Sequence, residues 1–353
     1  MIQDIIKPMI DSALIEQARE LIDKHQKFVV VTHMSPDGDA LGSSLAMAGY
    51  LQKKGKDAKV VFCDTPGENL HFIPGWEEGL IYDNQNDGSV SRKAEAQKLI
   101  AETEVIVCTD FNVLSRTAAL AEEIKKSSAP RLLLDHHLGP NTEEFSVVIS
   151  HPEAVAACEL VYRFILQMGD DALLDKTIAT RIFCGLLTDT GMLSFNCSQD
   201  QIFLIVARLM QEGVENEKIR KEMLLEHERR ARLKGYVLQN KMQLNYDLKY
   251  GYISLNKAEL KRFNHQKGDS EGFVNMPLDL YGIQVTAFFR EEKNIIKVSL
   301  RSKGEFPVNL LAEKFFNGGG HRNAAGGEFL GSLQQAEALF IKAMPLFAQY
   351  LDK

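Results

Sequence analysis

Between residue 28 and about residue 190, short runs that are apolar throughout alternate with segments of helical spacing. The runs are "FVVVT" (28–32), "AKVVFC" (58–63), "VIVCT" (105–109) and "RLLLD" (131–135). Strands with no polar face are covered on both sides, and strands separated by helices pair in parallel. This half of the chain therefore predicts an α/β domain with a parallel sheet and helices on both faces. Ligands of such sheets lie beyond the carboxyl ends of the strands. His33 closes the first run, Asp110 closes "VIVCT", and Asp135, His136 and His137 close "RLLL", so residues distant in sequence converge on one rim. "RIFCGLLTDTG" (181–191) reads as an apolar helix leading to Asp189, but periodicity does not say whether Asp189 joins that rim. The opening "MIQDIIKPMIDSALIEQARELI" carries acids through its apolar stretch and reads as one amphipathic helix, neither a signal peptide nor a membrane span.

From Ser198 to about Leu238 the pattern is helical and heavily charged, which predicts a helical linker with a solvated charged face. The period then changes to two. "YGYISLN" (250–256), "GIQVTAFFR" (282–290) and "NIIKVSLRS" (294–302) read as half-buried strands of a smaller mixed sheet. In the last of them Ile296, Val298 and Leu300 share one face, and Lys297, Ser299 and Arg301 the other. A helix over 308–315 leads into "NGGGHRNAAGG" (317–327), and Ser332 caps a final amphipathic helix that Pro345 kinks or shortens. A chain of 353 residues exceeds what one core usually serves. The predicted domains are 1–197 (parallel sheet, metal-binding), 198–238 (helical linker) and 239–353 (mixed-sheet α/β, substrate-binding).

Composition narrows the function classes. With 45% hydrophobic and 25% charged residues the chain is an ordinary globular protein. Its net charge of −7 argues against a long sequence-independent grip on nucleic acid, while a short anionic substrate held through metal ions is compatible. The five cysteines form no CxxC pair, which predicts buried reduced thiols, no structural zinc and a cytoplasmic location.

The chemistry concentrates in "VVVTHMSPDGDALGSS" (29–44), where His33, Asp37 and Asp39 follow a buried strand. Carboxylates favour hard divalent cations, and imidazole tilts the choice toward Mn²⁺. His33, Asp37, Asp39, Asp110 and His136, with Asp189, are too many ligands for one ion. Two ions about 3.5–4 Å apart that share a carboxylate are the economical arrangement, and they suit hydrolysis of a phosphate ester or anhydride. Each residue also has a plainer reading. Asp39 and Asp110 are candidates for helix caps, His136 and His137 for a structural pair, and "GGGH" (318–321) for a flexible turn.

"THMSPDGDALGS", the isolated Asp110, "DHH" (135–137) and "LLTDTG" resemble, in that order, the motifs of the DHH phosphoesterase family. "EGFVNMPLD" (271–279), "SLRSK" (299–303) and "GGGH" are similar to the DHHA1 accessory domain of its oligoribonuclease (nanoRNase) and 3′-phosphoadenosine-5′-phosphate (pAp) phosphatase branch. The resemblance spans nearly all of the chain after its first twenty or so residues, and departs at Ser35, where that branch often has Asn. It implies that His33 and Asp37 bind one ion, that Asp39, His136 and Asp189 bind the other, and that Asp110 bridges them. His137 would face the substrate phosphate and Asp135 would orient a neighbouring imidazole, making His137, Asp110 and Asp135 the catalytic residues. Arg301, Ser302, Gly318, Gly319, Gly320 and His321 would meet the phosphate or base end of the substrate from the second domain, across a cleft. The implied cofactors are two divalent ions, Mn²⁺ first with Mg²⁺ or Co²⁺ as alternatives. The implied reaction is attack by a hydroxide bridging two Mn²⁺ ions. It would hydrolyse short oligoribonucleotides to mononucleotides, remove the 3′-phosphate of pAp, or do both. Implied partners are short single-stranded RNA or DNA oligonucleotides, nucleoside bisphosphates or linear dinucleotides, no membrane, and a second copy in a homodimer. Two rival readings stay open: an inorganic pyrophosphatase or exopolyphosphatase with the same ion pair, and a catalytically idle nucleotide-binding sensor.

Overall fold

In the computed structural model, which describes residues 2–82, 92–197 and 199–351, the apolar runs become the strands of a parallel sheet. The chain divides into two units, Met1–Leu225 and Glu226–Lys353. The first unit contains β1 (Lys27–Val31), β2 (Asp57–Phe62), β3 (Leu80–Ile81), β4 (Val105–Thr109), β5 (Arg131–Asp135) and β6 (Val147–Ser150). All pair in parallel, in the order β3-β2-β1-β4-β5-β6. The direction of winding reverses between β1 and β4, which leaves a crevice at their carboxyl ends. His33 and Asp110 emerge on its two sides.

The helices of this unit are α1 (Ser12–Lys24), α2 (Gly38–Lys53), α3 (Lys93–Glu102), α4 (Leu120–Lys126), α5 (Ala157–Gln167), α6 (Lys176–Asp189), α7 (Asp200–Gln211) and α8 (Asn216–Leu224). Because side chains alternate along a strand, Val30, Val107, Leu132 and Leu134 pack with Leu41 of α2, Val161 of α5 and Ile182 of α6. Val29, Val31, Ile106, Cys108 and Leu133 pack on the other face with Ile100 of α3 and Ile124 of α4. Both faces are thus covered, as the unbroken apolar runs predict.

Helices α2 and α6 run antiparallel in close contact, because glycines remove the side chains between them. A Cβ on Gly38 would lie 2.3 Å from Thr188, and one on Gly42 would lie 2.5 Å from the Arg181 carbonyl. One on Gly185 would lie 2.2 Å from Cys158 Sγ. This contact sets the end of α6 against the start of α2.

The amino-terminal segment is not the single helix its pattern predicts. Residues Ile2–Ile5 form one 3₁₀ turn, and α1 starts only at Ser12, where Asp11 accepts a hydrogen bond from Ala13 N (2.7 Å). Pro8 between them lacks an N–H and bars its predecessor from helical geometry. The charged helical stretch is shared between the units. Ile202, Ile205 and Leu209 of α7 join the first core, whereas Leu233 of α9 (Glu228–Tyr236) and Val237 beyond it join the second. Ser198, where that stretch is expected to start, lies outside the described residues. Its charges are not all solvated either, since Arg229 pairs with the buried Asp269 (2.8 Å).

The second unit contains β7 (Met242–Asn245), β8 (Tyr250–Leu255), β9 (Val285–Glu291), β10 (Ile296–Ser302), β11 (Gly319–His321) and β12 (Ala324–Phe329), in the order β11-β12-β10-β9-β8-β7. Only β8 and β9 pair in parallel, so the sheet is mixed as predicted. Ile296, Val298 and Leu300 are buried against Leu311 of α11 (Val308–Phe315) and Phe340 of α12 (Leu333–Ala343). The short α10 (Lys257–Arg262) follows β8. Helix α12 gives way to a 3₁₀ segment, Met344–Tyr350, at Pro345, and its cap Ser332 accepts from Gln335 N. "GGGH" is strand, not a flexible turn: Gly319, Gly320 and His321 pair with Gly326, Ala325 and Ala324.

Among the described residues no helix is long and apolar enough to cross a membrane. All five cysteines are buried, reduced thiols.

Candidate metal centre

The sheet gathers the histidines and aspartates singled out in the sequence at its carboxyl rim. His33 follows β1, Asp110 follows β4, and Asp135 ends β5 with His136 and His137 behind it. Asp37 caps α2: its Oδ1 accepts from Asp39 N and Ala40 N (3.0 Å each). The capping role belongs to Asp37, not Asp39, and it leaves Asp37 Oδ2 facing His33 Nε2 at 3.9 Å. Asp39 is fully buried, with Oδ2 accepting from Ala157 N (2.6 Å) and Oδ1 from Cys158 N (2.8 Å). Helix α5 has Ala156 at its N-cap position with no side-chain cap of its own, so a carboxylate from α2 satisfies its first N–H groups.

Asp110 lies at the centre. Its Oδ2 is 3.4 Å from His33 Nε2 and its Oδ1 is 3.4 Å from His136 Nε2. It caps no helix, since the next helical turn starts at Leu114. Its backbone is left-handed (φ 64°), a conformation that costs a residue with a Cβ about 1–2 kcal/mol. His136 Nε2 also faces Asp189 Oδ2 (3.4 Å) and Asp39 Oδ2 (3.8 Å). Asp189, whose place the pattern leaves open, thus joins the rim. It is carried there by the α2–α6 contact and stands at the carboxyl end of α6, where the helix dipole disfavours an anion.

The two central imidazoles are oriented from behind. His33 Nδ1 bonds the Met34 carbonyl (2.9 Å) and His136 Nδ1 the Ala154 carbonyl (3.2 Å), which puts the proton on Nδ1 and leaves the Nε2 lone pair toward the carboxylates. These carbonyls are functional groups that residue types do not advertise. The one indirect sign is the uncapped start of α5. His137 is held by Asp135, whose Oδ1 is 2.8 Å from Nδ1 while Oδ2 accepts from His137 N (3.1 Å).

Electrostatics marks the cluster as short of positive charge. Burial opposes a charge on His33, yet Asp110 and Asp37 hold its pKa above 6.5, and Asp110 and Asp189 raise His136 further against its burial. Burial, with the Asp110 charge, pushes Asp39 up to about 7, and burial with Asp39 raises Asp189 well above the usual carboxylate range. Burial works against ionised Asp110 too, but its bonds to His136 and His33 keep it below that range. Lone pairs of two imidazoles directed at four carboxylates repel them unless protons or cations intervene. Two donors about 2.1 Å from one ion and about 90–110° apart are about 3.0–3.4 Å from each other, close to the spacing around Asp110. Ligand atoms of His33, Asp37 and Asp110, and of Asp39, Asp110 and His136, lie within 4.8 Å of one another, so the donor set fits divalent metal, with Asp110 in both groups.

In the second unit Arg301 and His321 both pair with Ala324, from β10 and β11 on either side of β12. Directly paired residues of an antiparallel sheet share a face, so the two basic side chains flank one small residue. Ser302 is buried, donates to the Phe306 carbonyl (2.7 Å) and accepts from Asn323 Nδ2 (2.9 Å), so its hydroxyl is engaged inside the unit. Gly318 and Gly320 are required by the fold: a Cβ on Gly318 would be 1.9 Å from the Gly326 carbonyl, and one on Gly320, at φ 139°, 2.6 Å from that of Ala324. Gly319 has open space around its Cβ position.

The model of the DHH family, N-terminal domain, matches residues 27–186, and that of the DHHA1 domain matches 248–345. The bifunctional oligoribonuclease and PAP phosphatase NrnA of Thermus thermophilus is 28% identical over 89% of this chain and 88% of its own length. A crystal structure of an exopolyphosphatase-related protein from Bacteroides fragilis superposes with a TM-score of 0.90 and is 38% identical, covering 97% of this chain and 98% of that one. A probable manganese-dependent inorganic pyrophosphatase of Streptococcus mutans is 29% identical over 47% of this chain and 49% of its own. The fold and the motif set are those of a phosphoesterase. The chain belongs to the DHH family, carries a DHHA1 domain, and is a hydrolase.

Proposed function

We propose that the protein hydrolyses short oligoribonucleotides to mononucleotides and removes the 3′-phosphate of pAp, using two divalent cations, Mn²⁺ foremost. His33 and Asp37 hold one ion, Asp39, His136 and Asp189 the other, and Asp110 both. The observation that carries this reading is Asp110 itself, whose two oxygens address two different imidazoles at the same 3.4 Å. A cation pair bound there supplies a nucleophile at neutral pH and neutralises charge on the phosphoryl group.

The chain's own groups do the rest. Met34 and Ala154 fix the tautomers of His33 and His136. Asp135 holds His137 through Nδ1, so that Nε2 would address a phosphoryl oxygen, which makes Asp135 a positioning residue. Arg301 and His321 offer two donors on one face for a terminal phosphate, and Ser302 supports β10 from inside. We assign metal chemistry to the parallel-sheet domain and substrate grip to the mixed-sheet domain. Five buried, reduced thiols suit the cytoplasm.

The likeness to the exopolyphosphatase-related protein over nearly the whole chain favours one second reading, a polyphosphate substrate. Product analysis with Mn²⁺ on end-labelled di- to pentanucleotides, pAp, pyrophosphate and polyphosphate separates the two. Mononucleotides from the oligomers, and AMP from pAp, are expected. Phosphate released from polyphosphate alone overturns the nucleotide reading.

A further inference from the structure

The backbone that follows Asp189 is wound the wrong way. Gly191, Met192 and Leu193 are consecutively left-handed (φ 53, 63 and 66°), and Asn196 is left-handed as well (φ 53°). Residues with a Cβ avoid this conformation, and it persists where surrounding bonds over-determine it. Here those bonds come from one buried residue. The Thr190 carbonyl accepts from both Ser194 N and Phe195 N (2.8 Å each), and Thr190 Oγ1 accepts from Leu193 N (3.0 Å) while donating to the Leu186 carbonyl (2.5 Å). Met192 N reaches the Leu187 carbonyl (2.8 Å).

This turn sends its apolar residues in different directions. Met192 and Leu193 pack against the core of the first unit, whereas Phe195 is 57% exposed. Its ring lies over Gly191, where a Cβ would sit 2.5 Å from ring carbons Cδ2 and Cε2. Gly191 is two residues from Asp189, so no more than about 7 Å of backbone separates the glycine under the ring from an acid of the metal centre. The strained turn thus holds a largely exposed aromatic ring over a glycine that lies two residues beyond Asp189.

We propose that Phe195 is a stacking platform for a nucleobase of the substrate, and so a residue that separates nucleotides from phosphate chains without a base. The proposal rests on the nucleotide reading of the site and deepens it. A centre that recognises only phosphate treats polyphosphate and RNA alike. An aromatic face accepts any base, because every base has a π-face, and it offers nothing to a bare polyphosphate. The ring has a structural alternative, as an apolar lid over the Gly191 turn, and the choice of variants tests it.

The experiment compares the wild type with F195A, F195L and F195W on 5′-phosphorylated diadenylate and on the corresponding dinucleotide lacking its bases, with Mn²⁺ present. It also measures the binding of AMP and of inorganic phosphate by calorimetry. Leucine keeps an apolar cover over Gly191 but has no π-face. Both F195A and F195L are expected to raise KM for diadenylate about 5- to 150-fold and to weaken AMP binding to a similar degree, with the abasic substrate and inorganic phosphate within about twofold of wild type. F195W restores both. Equal losses on base-bearing and abasic substrates, no loss at all, or an F195L variant that matches wild type overturns the proposal. A wild type that cleaves polyphosphate but not diadenylate overturns the nucleotide reading itself, and the stacking role with it.

Discussion

Gly185 of α6 approaches Asp39 of α2 so closely that a methyl group in its place would lie 2.9 Å from the Asp39 Oδ1 atom and 2.2 Å from Cys158 Sγ. Helix packing and the acidic cluster therefore share one contact. Gly185→Ala is expected to destabilise the fold by about 1–3 kcal/mol through overpacking and to reduce turnover by displacing Asp39 and Asp189 together. Gly235→Ala, at a helical glycine with open space around it, is the control and should be neutral or stabilising by about 0.5–1 kcal/mol. Thermal melts and steady-state rates on both variants decide, and a G185A protein as active as wild type would contradict the packing argument.

Asp135 and Asp110 should separate by kind. Asp135→Asn removes the charge that holds His137 Nδ1 and is expected to cost about 10- to 100-fold in turnover with metal binding retained. Asp110→Asn removes the carboxylate both imidazoles face, and should lose turnover and metal binding together. Equal metal content in the two variants would refute this division of roles.

The metal-free cluster should couple metal binding to pH. Asp39 is pushed up to about 7, and His33, His136 and Asp189 also lie above their ordinary values. The folded protein thus binds more protons than the unfolded chain between the ordinary and the raised values. The stability these groups contribute is present at low pH and is lost as pH rises through them. Asp110, with its pKa lowered, loses its contribution only in acid. The melting temperature of the metal-free protein should fall from about pH 6 to about pH 8, while Mn²⁺ affinity rises over the same interval because the ions displace those protons. Calorimetry in two buffers of different ionisation enthalpy counts the protons released, and none released would contradict the protonation pattern.

Arg301 and His321, on one face across β12, should act on binding more than on chemistry. Arg301→Ala and His321→Ala are each expected to raise KM about 10- to 100-fold, the scale of one charge-assisted hydrogen bond, with metal affinity unchanged. A fall in kcat with KM intact would argue against a phosphate grip.

How much of this was legible in the sequence depended on whether a position answers to local pattern. The unbroken apolar runs located β1, β2, β4 and β5, and the parallel-sheet rule then placed His33, Asp110, Asp135, His136 and His137 on one rim. The two-residue strand β3 and the strand β6 lacked a run long enough to stand out. Asp189 was not placed by periodicity, because its position depends on a helix contact made by Gly38, Gly42 and Gly185, which are small residues that carry no hydrophobic signal. Asp37 takes the cap that the plainer reading gives to Asp39: Asp37 precedes α2 while Asp39 lies in its first turn, and only three-dimensional geometry chooses between them. The plainer reading of "GGGH" as a turn treats glycine as flexibility. Here two of its glycines make room for a neighbouring strand. The amino-terminal pattern hid a break that Pro8 imposes.

The account stands on one carboxylate shared between two ions, and counting the ions tests it most directly. Metal-stripped protein titrated with Mn²⁺, and assayed for bound metal after gel filtration, should take up two ions per chain, with hydrolysis lost on chelation and regained on their return. A single ion per chain, none, or hydrolysis that survives complete removal of metal would contradict it.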